Sequence, residues 1–137
     1  EEIKAREAAE KEASRFKNYG EYATDYDTTM LLAALIHCEA RGEPYEGQVA
    51  VGAVVINRVL SSVFPDTVVG VIYANRQFSP VASGRLALAL AENKATASCY
   101  KAADEAMAGY TNVGGCVFFR TPIPGLSGIN IGGHVFY

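Results

Sequence analysis

From Glu46 to Ser62 the chain reads EGQVAVGAVVINRVLSS, a stretch that is apolar on most sides of the helix it predicts. Its valines and isoleucine would also suit a strand, but the length and the lack of alternation favour a helix. A helix this apolar belongs in the centre of a fold, so the rest of the chain has to be arranged around it. Gly52 costs such a helix about 1 kcal/mol relative to Ala. Its compensation is the close approach of a neighbouring helix, with the one just before it as the first candidate. A chain of 137 residues supports one domain with a real core.

The preceding segment, TTMLLAALIHCEARGEPYEG, predicts a second helix, capped by the side-chain oxygens of Asp27 and Thr28 and ended by Gly42 and Pro44. Leu32, Leu35, Ile36 and Glu39 follow the spacing i, i+3, i+4, i+7, which lines one helix face. A carboxylate at the end of an apolar stripe leaves bulk water on folding, and desolvation favours its protonated form. A carboxylic acid still protonated near neutral pH is what a general acid requires. The competing reading is a Glu at a helix end that bends back to water.

Further along, Asp66 is placed to cap a short helix over Thr67–Tyr73. Lys94–Gly109 carries a stripe at Tyr100, Ala103 and Met107. Three segments rich in Phe, Val and Tyr, namely Gln77–Val81, Cys116–Arg120 and His134–Tyr137, predict strands of one small, mostly antiparallel sheet. The first 17 residues hold five acidic and five basic side chains beside a thin stripe of Ala5, Ala9, Ala13 and Phe16. They predict a solvated helix or the end of a longer stalk. The expected division is a charged helix and linker over 1–27 and a main domain over 28–137, the boundary lying where the family resemblance given below begins. The chain begins at Glu1 without a methionine and reads as a trimmed fragment.

Several functional classes find no support. A net charge of −3 supplies no basic field for nucleic acid. No apolar run approaches the ~18 residues needed to span a bilayer. Cys38, Cys99 and Cys116 are too few and too far apart for a disulfide framework, leaving either one bridge and one thiol or three thiols. His37 and Glu39 are two apart and diverge on a helix, unlike an H-E-x-x-H metal pair, and no G-x-S-x-G elbow occurs. No cofactor or metal is expected.

The run EARGEPYEGQVAVGAVVINRV, followed by FPDTVVGVIY, QFSPV and a closing GGHVFY, closely resembles the SleB/CwlJ family of cell-wall hydrolases over roughly Thr28 to Tyr137. The resemblance implies a mainly helical α+β domain, lysozyme-like or transglycosylase-like, with one catalytic glutamate matching Glu39. It also implies peptidoglycan glycan strands as the partner, action in the cell wall after secretion (spore cortex or coat included), and a lytic transglycosylase route. In that route one acid protonates the leaving oxygen and then, as base, deprotonates the sugar's own C6 hydroxyl. A monomer is expected. Gln77, Phe78 and Ser79 resemble the family's strand beside the cleft, where Gln77 and Ser79 would share one strand face. Phe119, His134 and Tyr45 are further candidates for substrate contact, each with a packing role as the alternative. Glu43, one turn beyond Glu39, is the candidate second carboxylate of a retaining muramidase were the helix unbroken. The interruption by Gly42 and Pro44 favours a Glu43 that ties down its own loop, by accepting backbone N–H bonds or by pairing with Arg41 or Arg58.

Overall fold

The computed structural model describes residues 27–74 and 77–137. The charged helix expected within 1–27 falls outside them, apart from Asp27. Among the described residues six helices run in order: α1 Thr28–Glu39, α2 Tyr45–Leu60, α3 Val68–Tyr73, α4 Ser79–Ser83, α5 Arg85–Ala91 and α6 Ala97–Met107. Three short strands follow, β1 Phe119–Arg120, β2 Ile129–Ile131 and β3 His134–Phe136. Their order is β1-β3-β2 and both pairings are antiparallel, with Phe119 and Ile129 facing Phe136. The domain is α+β and mainly helical, as its sequence predicts.

Asp27 caps α1, its carboxylate accepting from the Met30 N–H at 2.7 Å. The structure makes α1, as much as α2, the centre. It packs against every other helix, and Leu31 to Ile36 are all buried. The expected single stripe is thus the visible part of a helix enclosed on all sides. α2 is buried almost throughout, from Val49 to Ile56 and again at Arg58 and Val59. At Gly52 an added Cβ would come within 2.9 Å of Ala106 Cβ on α6 and 3.3 Å of Ile36 Cδ1 on α1. The glycine therefore admits α6 first and α1 second.

The stretch expected as the strand Gln77–Val81 is a turn at Gln77 followed by α4. Pro80 in the first turn explains the difference: it has no N–H for a sheet ladder, yet suits a helix start. Ile129–Ile131 supplies the third strand instead. α3 is capped by Thr67, whose hydroxyl accepts from the Gly70 N–H at 2.9 Å, and not by Asp66. The last turns of α2 fasten the segment entering β1. Asn57 Nδ2 donates to the carbonyls of Gly114 (2.9 Å) and Cys116 (2.8 Å), and Arg58 Nε donates to that of Val117 (2.7 Å). All three cysteines are free thiols.

Candidate active site

Glu39 is the last residue of α1, whose end is set by Ala40 and by the turn through Gly42 at φ +80°. Burial pushes its carboxyl above the usual carboxylate range, and the Arg85 guanidinium opposes that shift without cancelling it. The negative end of the α1 dipole works in the same direction as burial. The two influences suit a group that must both release and recover a proton: desolvation stabilises the acid, and Arg85 tempers the carboxylate left behind.

The carboxyl opens into a cavity of about 590 Å³, within the range of small-molecule sites. Tyr73 and Ala74 from the end of α3, Gln77 and Phe78 from the turn, and Ser79, Val81 and Ala82 from α4 form the described lining. Sequence reasoning named Glu39, Gln77, Phe78 and Ser79, and the structure brings these four together. It does so through a turn and a helix, so Gln77 and Ser79 do not share a strand face. Gln77 Oε1 accepts from Arg58 Nη1 at 3.0 Å, and Ser79 Oγ accepts from Arg85 Nη2 at 3.1 Å. Phe78 is only 3% exposed and lies 5.0 Å from the Arg58 guanidinium, so it forms floor more than open platform.

The other candidates are not among the described lining residues. Tyr45 covers the α2–α6 contact: its hydroxyl donates to Glu105 at 2.8 Å, Lys101 Nζ lies over its ring, and burial followed by the Glu105 bond pushes its pKa up to about 12. Phe119 packs inward, 6.4 Å from Phe78 and 5.5 Å from Phe136, while its neighbour Phe118 is the exposed member of the pair. His134 stands edge-on to Phe119 at 5.2 Å, and its buried Nδ1 has no partner among the described residues.

Glu43 is not among the described lining residues, and its carboxylate is held by a residue 90 positions along the chain. Its carboxylate accepts from the Gly133 N–H at 2.8 Å. The pairing with Arg41 or Arg58 expected as one option does not occur; Arg58 instead serves Gln77, Val117 and the rings of Phe64, Phe78 and Phe118. A Cβ at Gly132 (φ +57°) would collide with the same Glu43 carboxylate, so the Gly132–Gly133 turn is shaped to receive it. Among the described residues, Glu39 is the one carboxyl lining the cavity, and no group of three His, Cys, Asp or Glu side chains is placed to hold a metal. Arg58, Arg85 and Tyr73 were missed as site residues. For Arg58 the N-R-V ending of the apolar helix was an available signal, whereas nothing local marks Arg85.

A small helical domain holding one desolvated acid at a helix end, open to a cavity, has the arrangement that a general acid requires. Residues 42–137 match the Cell Wall Hydrolase family, and the chain belongs to it. Glu39 lies just ahead of that matched range. The chain is 41% identical over 114 residues to a spore cortex-lytic enzyme of Oceanobacillus iheyensis, covering 77% of this chain and 40% of the relative. It is 42% identical over 92 residues to one from Bacillus cereus, covering 67% of this chain and 34% of that protein. The chain thus spans two fifths or less of the length of these curated relatives. The catalytic domain of the germination-specific lytic transglycosylase SleB from Bacillus anthracis superposes with a TM-score of 0.68 at 35% identity, over 82% of this chain and 97% of that domain.

Proposed function

We propose that residues 28–137 form a peptidoglycan-cleaving glycosidase domain, a lytic transglycosylase that cuts the MurNAc–GlcNAc bond with Glu39 as acid and then base. The observation that carries this reading is a protonation-prone Glu39 in the cavity with no second carboxyl among its described lining residues. A two-carboxylate hydrolase needs a second group about 5–9.5 Å away, as nucleophile or as base for water. A transglycosylase needs only one. Glu39 gives its proton to O4 of the departing GlcNAc as the C1–O4 bond breaks. The C6 hydroxyl of the same muramic residue then closes on C1 and returns its proton to Glu39. The product is a 1,6-anhydromuramic end, and no water is consumed.

The similarity to spore cortex-lytic enzymes and to the SleB catalytic domain supports this assignment, and supports action in the cell wall or spore cortex. Among the described residues no helix is long and apolar enough to cross a membrane. Digestion of purified peptidoglycan in H₂¹⁸O tests the route. Anhydro-ended fragments without ¹⁸O at C1 are expected; reducing ends carrying ¹⁸O as main product would make water the nucleophile and remove the transglycosylase assignment.

A further inference from the structure

His37 and Cys38, the two residues ahead of Glu39, line a second and smaller cavity of about 90 Å³ together with Arg41, Arg85 and Lys94. Three permanent cations therefore converge on one recess in a chain whose net charge is −3. No carboxylate is among its described lining residues. Lys94 makes an ion pair with Glu92 at 3.5 Å, but both side chains are open to water, which screens the pair. The field is felt inside: after burial, Arg41 and Lys94 are what push the His37 pKa down. The recess is about 90 Å³, against about 590 Å³ for the catalytic cavity, so it suits a small group better than a second sugar.

Arg85 joins this recess to the catalytic cavity. Its Nη2 donates to Ser79, which lines the larger cavity, and its Nε donates to Ser83 at 3.1 Å. On the reading proposed above, the sugar beside Glu39 is the muramic residue whose C1 is attacked. That sugar carries a lactyl ether at O3, and the lactyl carbonyl begins the stem peptide, with its free carboxylates. We propose that the recess of Arg41, Arg85 and Lys94 is a subsite for a carboxylate on the muramic substituent, favouring strands that carry the anion over strands that do not. The carboxylate can belong to the stem peptide or, where the peptide is absent, to the lactyl group itself.

The test uses phosphate-free glycan strands in three forms: stem carboxylates free, stem carboxylates amidated, and peptide removed to leave the lactyl carboxylate. The wild-type chain is expected to show kcat/KM about tenfold higher on the free-carboxylate form than on the amidated form, the scale of one partly exposed charge-assisted hydrogen bond. In a folded Arg41→Ser/Lys94→Ser variant that ratio should fall towards one, with the loss expressed in KM. The peptide-free strands assign the source: they exceed the amidated form if the lactyl group is bound and match it if only the stem is. Equal wild-type kcat/KM on all three forms, or a preference that survives in the double variant, overturns the proposal. Wild-type protein that cleaves none of the strands refutes the glycosidase reading instead. In that case binding of muramyl dipeptide against its amide, followed by NMR, decides the subsite separately, with equal affinities overturning it.

Discussion

Replacing Glu39 with Gln keeps the shape of the side chain and removes its transferable proton. General-acid catalysis contributes ~10²–10⁴ in rate, or about 2.7–5.5 kcal/mol of barrier at 1.36 kcal/mol per tenfold. The described cavity offers no second carboxylic acid, its other polar side chains being the weakly acidic hydroxyls of Tyr73 and Ser79 and the amide of Gln77. The loss should therefore reach the upper part of that range, ~10³-fold or more in kcat, followed as anhydromuropeptide release by mass spectrometry. Stability should move the other way. The folded pKa of Glu39 is raised by burial, so its stabilising protonated form is complete below the unfolded carboxyl pKa. That contribution is lost as pH rises through the folded value. At neutral pH the Gln variant should accordingly melt no lower than wild type, and the difference between the two should vanish in acid. A folded Glu39→Gln variant within tenfold of wild-type activity would remove Glu39 from the mechanism.

The same raised pKa gives the wild-type rate an alkaline limb: cleavage should persist above the pH at which an ordinary Glu ionises and fall as Glu39 loses its proton, a limb read from kcat against pH. Glu43→Gln keeps an oxygen for the Gly133 N–H and should cost less than tenfold in kcat; a loss equal to that of Glu39→Gln in well-folded protein would restore the two-carboxylate mechanism. Glu43→Ala should lower stability by about 1 kcal/mol, since Gly133 is exposed and its N–H can turn to water. Gly52→Ala gains about 1 kcal/mol of helix propensity but places a methyl 2.9 Å from Ala106 Cβ. Overpacking costs ~1–3 kcal/mol, so thermal melting should show a net loss of roughly 1 kcal/mol, and an unchanged or raised Tm would mean that α6 gives way freely.

What the sequence discloses about this domain is set by the range of the interactions involved. α2 is legible because a helix apolar on most sides has one place to go, and Glu39 is legible because a charged residue at the end of an apolar run is a local anomaly. The cavity wall is not local. Ser79–Pro80 looks strand-like beside Phe78 and Val81, and only the missing N–H of Pro80 favours the helix that forms there. Arg85 reaches the site because α5 packs on α1, a contact that no spacing encodes. Glu43 is the clearest case. Its nearness to Glu39 in sequence suggests a catalytic pair, while its actual partner is a glycine turn 90 residues away. The Gly42–Pro44 break that separates the two carboxyls also aims Glu43 at the Gly132–Gly133 turn between β2 and β3. One local interruption thus leaves Glu39 as the lone described carboxyl of the cavity and anchors the sheet to the helices.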